Sequence, residues 1–259
     1  MMCFVDSHIH LSDSVYDEYL MLIIGIINNL KIRVYSVSED LGSSVKNLSI
    51  KKKHFVNTDS FKAFVGIHPQ YASVKLSESF SDFFISNKEN IDGIGEIGID
   101  PTYTINNVSN TVEVQKTVFN QMLSIAEKNN KPVSIHSRRS LKEVLDTLTS
   151  YRLNRVVFHW YDGNKSLLKK INELGYYVSF GPYLLYSENK RTLLSESDLS
   201  LLLLETDGPV SYRHCFNNVI TSPVFIISLI NYVSIILKKN FNDLSEMIFR
   251  NSVEFLNAK

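Results

Sequence analysis

Short runs of apolar residues alternate along the chain with longer segments in which apolar residues recur at helical spacing. A short apolar run between polar, helix-patterned segments is typical of a strand buried on both faces of a parallel sheet. The pattern predicts eight such strands, at residues 3–6, 32–37, 62–67, 92–96, 132–136, 154–159, 176–180 and 200–205. The predicted helices cover residues 15–29, 41–53, 74–87, 112–129, 141–149, 167–174, 190–194, 223–238 and 244–256.

This alternation predicts an α/β fold, a (β/α)8 barrel of the TIM type. Such a barrel has about 250 residues and folds as one domain, and this chain has 259. We therefore expect one domain over residues 1–259. A doubly wound open sheet would give the same alternation, but its ligands would come from one or two loops at the switch point. The candidate ligands of this chain follow five different strands, which favours a closed barrel.

Charge and cysteine content narrow the class of protein. The chain has 27 basic and 27 acidic residues, so its formal net charge is zero. Non-specific binding to nucleic acid needs a surplus of Lys and Arg on one surface. A nucleic-acid substrate would therefore have to be bound by local contacts and by metal ions. Cys3 and Cys215 have no zinc-like spacing, and we expect reduced thiols in a cytoplasmic protein.

Two apolar stretches raise the question of a membrane helix. They cover residues 21–27 and 224–237. Both are shorter than the roughly 20 apolar residues that a spanning helix needs. An acidic residue, Asp6, follows the N-terminus too soon for a signal peptide. We predict that both stretches are buried helices of the barrel.

Six side chains that can bind metal ions stand at the ends of predicted strands. They are His8, His10, Glu96, His136, His159 and Asp207. The C-terminal strand ends of a closed barrel converge on the face where active sites lie. His8 and His10 are two residues apart, so on a strand they point to the same side. The sequence therefore predicts a metal centre at this face.

Other residues near these strand ends are candidates for supporting roles. Asp6 is predicted to orient a ligand histidine through its other ring nitrogen. Asp100 either does the same or is an acid of the loop. Gly93, Gly95 and Gly98 surround Glu96 and favour a close approach of the backbone there.

Six motifs carry a resemblance to a known family. In chain order they are DSHIH, GIHPQ, GEIGID, PVSIHSR, FHWYDG and ETDGP. They resemble the motifs of the TatD family of metal-dependent deoxyribonucleases, in the wider amidohydrolase-like group of barrels. The likeness extends from Asp6 to Pro209, most of the chain.

The resemblance implies two divalent metal ions that share one ligand. The first ion would be held by His8, His10 and Asp207, the second by His136 and His159, and Glu96 would bridge both. Mg²⁺ or Mn²⁺ is expected for activity, and Zn²⁺ is also compatible with His and carboxylate ligands.

The chain departs from the common family pattern beside these ligands. HWYDG stands where an HCF-type motif with small residues is common, and Val210 stands where a tyrosine often follows ETD and proline. The departures leave the ligand set intact and bear on substrate preference. The combination of HSRRS, HWYDG and ETDGP is similar to the TatD-like component of Qat antiphage-defence cassettes. That narrower likeness implies protein partners from a defence operon.

Asp207, Glu96 and His68 are the predicted catalytic residues. Two ions can clamp the attacking and departing oxygens of a phosphodiester, and Asp207 would accept a proton from the attacking water. Pro69 restricts His68 to an extended backbone, and we assign His68 to phosphate contact or leaving-group protonation. Arg138 could bind two phosphate oxygens through its guanidinium.

Three aromatic residues are predicted to contact the substrate. Tyr103, Trp160 and Tyr161 could stack on the bases of a single strand. The resemblance implies a deoxyribonuclease, and we expect it to act on DNA ends or single strands. We also expect a cytoplasmic monomer that does not bind membranes. Two alternatives stay open: a small-molecule amidohydrolase or esterase with the same metal site, and a subunit of a defence complex with little activity of its own.

Overall fold

A computed structural model describes residues 4–105 and 109–257 of the chain. Eight strands follow one another around a nearly closed barrel, and each pairs in parallel with the next. The strands are β1 Phe4–Ile9, β2 Ile32–Ser36, β3 Phe61–Val65, β4 Gly93–Gly98, β5 Val133–His136, β6 Val156–Phe158, β7 Tyr177–Phe180 and β8 Leu202–Leu204. The predicted barrel is confirmed, and the doubly wound alternative is wrong.

Nine α-helices of the described residues surround or cap the strands. They are α1 Leu20–Leu30, α2 Leu41–His54, α3 Val74–Asn87, α4 Val112–Lys128, α5 Leu141–Leu148, α6 Lys165–Glu173, α7 Glu188–Glu196, α8 Phe225–Ile236 and α9 Phe241–Asn257. The main difference from the prediction is the start of α1. Asp13 accepts a hydrogen bond from the backbone of Val15 and caps a short 3₁₀ turn at Ser14–Tyr16, so the α-helix begins only at Leu20.

Backbone hydrogen bonds hold the end of β1 beside the segment that follows β8. The Asp207 N–H donates to the His8 carbonyl over 2.9 Å, and the His10 N–H donates to the Gly208 carbonyl over 2.8 Å. These bonds lie at the seam of the barrel. They bring two histidines from the start of the sequence next to an aspartate about 200 residues later.

Asp6 contributes to this seam in a way that the sequence did not indicate. Its carboxylate accepts hydrogen bonds from the backbone N–H of Thr206, over 2.9 Å, and from the Thr206 hydroxyl. It also accepts a long bond of 3.4 Å from the backbone N–H of His8. The prediction that Asp6 orients a histidine ring is therefore wrong, because Asp6 positions the backbone before Asp207 instead.

Glycines allow β4 to lie close against β5. A Cβ atom on Gly98 would stand 1.8 Å from the carbonyl oxygen of His136, and one on Gly95 would stand 2.8 Å from the Cβ of Ser134. Gly98 also has a φ of +157°, which side chains disfavour. The predicted close backbone approach is confirmed. Its consequence is that Glu96, between these two glycines, lies against His136.

Helix α9 covers the N-terminal end of the barrel. Arg155, directly before β6, donates a guanidinium hydrogen bond to the Leu256 carbonyl. Phe255 of the same helix is fully buried and packs against the rings of Tyr35, Phe64 and Tyr177. The opposite end of the barrel, where the strands end, is left open for the site.

The two apolar stretches form helices α1 and α8 with one buried face each. In α1, Ile23 and Ile27 are buried, but Met21 and Leu22 are 65% and 64% exposed. The prediction of buried barrel helices therefore holds for one face only. Within residues 4–105 and 109–257, no helix is long and apolar enough to cross a membrane. Cys3 lies outside the described residues.

Candidate metal centre

The structure brings all six predicted ligands together at the C-terminal end of the barrel. Five of them line a cavity of about 660 Å³, and His8 is fully buried just beneath it. The ligands come from the ends of β1, β4, β5 and β6 and from the segment after β8. They fall into two groups of close donor atoms.

The first group has the spacing of a metal site. His8 Nε2 and His10 Nε2 are 3.3 Å apart. Glu96 Oε2 lies 3.3 and 3.4 Å from these nitrogens, and Asp207 Oδ1 lies 3.5 and 3.3 Å from them. Four ligands placed about 2.0–2.1 Å from one ion in a tetrahedron lie roughly 3.3–3.4 Å from one another. This donor set therefore fits a divalent cation.

The second group uses the other oxygen of Glu96. His136 Nδ1 and His159 Nε2 are 3.4 Å apart, a separation typical of two ligands. Glu96 Oε1 lies 2.7 Å from each nitrogen, which is a hydrogen-bonding distance. Glu96 thus faces one group with Oε2 and the other with Oε1. A carboxylate in that position can bind two ions at once, one through each oxygen.

The electrostatics of the two groups keep Glu96 and Asp207 ionised. Burial favours a neutral carboxyl, but the charge of His159 and hydrogen bonds from His136 and His159 hold the pKa of Glu96 well below its usual value. The pKa of Asp207 is lowered against burial by the hydrogen bond with His10. In turn, these carboxylates outweigh burial and raise the pKa of His10 to about 9. The two anions are therefore available to bind a cation.

Two polar side chains fix the far nitrogens of the ligand imidazoles. Asp100 Oδ2 lies 2.8 Å from His136 Nε2, and Ser134 Oγ lies 3.1 Å from His8 Nδ1. Partners of this kind set the tautomer and the orientation of a ligand histidine. Of the two readings left open for Asp100, the structure favours the supporting role.

Glu205 is a buried carboxylate that was not among the predicted ligands. Its Oε1 accepts a hydrogen bond of 2.7 Å from the backbone N–H of Trp160, and its Oε2 accepts one of 2.5 Å from the hydroxyl of Ser179. Glu205 Oε1 also lies 3.8 Å from His159 Nδ1. With His8 and His159 it makes a further group of close donor atoms. Because both oxygens already accept hydrogen bonds, we infer that Glu205 does not bind an ion and acts on His159 through its negative charge.

The variant Glu205→Gln tests this electrostatic role. Glutamine can still accept from Trp160, but it lacks the charge beside His159. We expect the affinity of the second ion to fall about 10- to 100-fold, as for other outer partners of ligand histidines, with binding at the first group unchanged. Calorimetric titration with Mn²⁺ resolves the two sites. Glu196→Gln, an exposed carboxylate paired with Lys165, is the control, and equal loss at both sites would contradict the assignment.

His68 lies beside the second group but is held as a neutral hydrogen-bond donor. Its Nδ1 accepts from the backbone N–H of Gln70 over 3.2 Å, so the ring proton is on Nε2, 3.5 Å from Glu96 Oε1. Burial lowers the pKa of His68 to about 3. Its Nε2 makes a close donor group with Glu96 and His136, but a protonated nitrogen does not bind a cation. Of the two predicted roles, this tautomer favours phosphate contact.

The predicted substrate contacts are divided between cavity and core. Arg138, Tyr103 and Trp160 line the cavity. Tyr161 is 1% exposed, and its hydroxyl donates to the Asn164 carbonyl over 2.7 Å. The prediction that Tyr161 stacks on a base is wrong, because its ring packs inward, edge-on to Phe180.

Several further cavity residues were missed, among them Glu39, Tyr183 and Lys190. Glu39 follows β2, a strand-end position that the same argument could have identified. Tyr183 and Lys190 come from the segment between β7 and the first turn of α7. No motif marks them, and their place beside Trp160 depends on the path of that segment.

Comparisons with known proteins agree with the fold and with the family resemblance. A family model described as TatD related DNase matches residues 5–257. An uncharacterised metal-dependent hydrolase of Methanocaldococcus jannaschii is 24% identical over 258 residues, which cover 99% of this chain and 98% of that protein. A human deoxyribonuclease is 26% identical over 219 residues, 79% of this chain and 77% of that protein.

A solved structure supports the same architecture. The crystal structure of a TatD homologue from Escherichia coli K12 aligns over 100% of both chains with a TM-score of 0.87 and 20% identity. At this identity the likeness concerns the fold.

Proposed function

This chain belongs to the TatD-related DNase family, and from that membership we propose that it hydrolyses phosphodiester bonds of DNA. Its relatives include proteins named as metal-dependent hydrolases, and the chain is a metal-dependent hydrolase of this family. The proposal of DNA hydrolysis is supported mainly by Glu96, which is shared between two groups of donor atoms. Two cations bound side by side there could stabilise both the attacking and the departing oxygen when a phosphodiester is hydrolysed.

We assign His8, His10 and Asp207 to one divalent ion, and His136 and His159 to the other, with Glu96 between them. When bound, the ions would act as Lewis acids on the phosphate and lower the pKa of water. Mg²⁺ or Mn²⁺ is the expected pair.

The side chains around the ions are assigned to proton transfer and to phosphate binding. Asp207 Oδ1 belongs to the first donor group, and its other oxygen can accept the proton of the attacking water. His68 donates from Nε2 to a phosphate oxygen. Arg138, which is exposed at the cavity wall, can bind two phosphate oxygens through its guanidinium fork.

Aromatic residues offer faces for the bases. Trp160 is partly exposed and stacks on Tyr212 at a centroid distance of 5.4 Å and an angle of 15°. Tyr103 lies edge-on to His68 at 5.4 Å. A stacked base gains about 1–3 kcal/mol from such a platform whatever its identity. We therefore propose unpaired DNA, at an end or in a single strand, as the substrate.

Product analysis of end-labelled oligonucleotides tests the proposal. We expect the purified protein to shorten single-stranded DNA with Mg²⁺ or Mn²⁺, and a chelator to stop the reaction. Chromogenic esters and amides, assayed in parallel, test the small-molecule alternative. Turnover of those compounds without cleavage of any oligonucleotide would overturn the nuclease proposal and leave the metal centre intact.

The narrower likeness to Qat defence cassettes stays a prediction, as do a monomeric state and a cytoplasmic location. Neighbouring genes that encode the other cassette components would support a defence role. Co-purification of tagged protein with their products would show whether the chain acts in a complex.

A further inference from the structure

Lys190, in the first turn of α7, is a buried cation in the wall of the metal cavity. The residue is only 5% exposed, yet it lines the same cavity as the ligand histidines. Lysine is almost never buried to this extent without an anionic or polar partner. Burial lowers the pKa of Lys190, but the neighbouring Asp162 acts in the opposite direction.

The ammonium of Lys190 has two acceptors in the described part of the chain. Nζ donates to the Tyr161 carbonyl and to Asp162 Oδ1, over 2.8 Å. An ammonium carries three donors, so one N–H is left for another acceptor.

Asp162 is a weakly held partner. Its side chain is 66% exposed, against 6% for that of Lys190, and it lines the same cavity. The Asp162 carboxylate is therefore hydrated, and water competes for its bond with the ammonium. An anion that enters the cavity can therefore displace the carboxylate at little cost, while the Tyr161 carbonyl keeps the ammonium in position.

We propose that Lys190 forms a second phosphate subsite, which the Asp162 carboxylate covers until substrate binds. This inference rests on the proposed function: one phosphate lies at the metal centre, and a neighbouring phosphate of the same strand takes the place of Asp162 on Lys190. The ligand class is a nucleotide unit with phosphates on both sides of one sugar. The subsite would favour a strand over an isolated diester and is a specificity-determining feature of this chain.

Binding of mononucleotides to the Mg²⁺-loaded protein tests the subsite without hydrolysis of a diester. Calorimetry compares thymidine 3′,5′-bisphosphate with thymidine 5′-phosphate and thymidine 3′-phosphate. We expect the wild-type protein to bind the bisphosphate about 10-fold more tightly than the better monophosphate. Lys190→Met should abolish this preference. Asp162→Asn, which removes the competing anion at an exposed position, should increase bisphosphate affinity about 3- to 10-fold.

Lys165→Met is the matched control, because Lys165 is an exposed lysine of α6 that pairs with Glu196 away from the cavity. Thermal unfolding and metal content show whether Lys190→Met is folded, and Asp162→Asn tests the subsite even if it is not. Equal binding of all three nucleotides, or weaker bisphosphate binding by Asp162→Asn, overturns the subsite. Failure of every phosphate ligand to bind would instead contradict the proposed function.

Discussion

Asp207→Asn is expected to lower kcat/KM for oligonucleotide cleavage by about 10³-fold or more. Asparagine preserves the size of the side chain, but it removes the anionic oxygen of the first donor group and the base that accepts a proton from water. Loss of a general base alone typically costs 10²–10⁴-fold, and 10³-fold corresponds to about 4 kcal/mol of transition-state stabilisation. The backbone bond from Asp207 to His8 is retained, so we expect the fold to survive.

Initial rates on a labelled single strand, at saturating Mg²⁺, measure this effect. Asp198→Asn provides the control, since Asp198 is an exposed aspartate that caps a 3₁₀ turn before β8. If Asp207→Asn and wild type digest DNA at the same rate, either a contaminant is responsible or Asp207 has no part in the chemistry.

Glu96→Gln is expected to remove both activity and bound metal. Glutamine offers one acceptor oxygen and an NH₂ group, so it is unable to present an anionic oxygen to each of the two donor groups. We expect the metal content to fall from about two ions per chain to one or fewer, and kcat/KM to fall by about 10⁴-fold, since the two-ion clamp needs both cations.

Metal analysis after gel filtration, together with the cleavage assay, measures both effects. The control is Glu113→Gln, because Glu113 is an 80%-exposed glutamate of α4. Retention of two tightly bound ions by Glu96→Gln would show that Glu96 is not the shared ligand.

The arrangement of strands was predictable because a buried parallel strand is apolar on both faces. Each such run in this sequence is bounded by polar residues. Helical spacing was informative too, since both ends of α3, Val74 and Asn87, were predicted correctly. The convergence of ligands also follows from sequence. Residues that follow different strands of one barrel necessarily share its C-terminal face.

Contacts that depend on the paths of the loops could not be predicted from the sequence. Tyr161 and Trp160 are adjacent and both aromatic, yet Trp160 lines the cavity while Tyr161 packs into the core. The difference arises because Trp160 adopts a left-handed backbone with a φ of 43°, held by the hydrogen bond from its N–H to Glu205. No local pattern around HWYDG predicts that bond, since Glu205 lies 45 residues away.

The same limit applies to Asp6 and Lys190. Asp6 stands two residues before a ligand histidine, but the seam of the barrel supplies Thr206 as its partner. No sequence pattern distinguishes Lys190 from the other lysines. Its role is indicated only by its burial and by its ion pair with Asp162.

Anomalous diffraction from crystals of the Mn²⁺-loaded protein tests the metal assignment most directly. We expect two peaks at the C-terminal end of the barrel, each at coordinating distance from Glu96. One should also lie beside His8, His10 and Asp207, and the other beside His136 and His159. Peaks elsewhere on the chain, or no peak beside Glu96 at saturating Mn²⁺, would contradict this assignment.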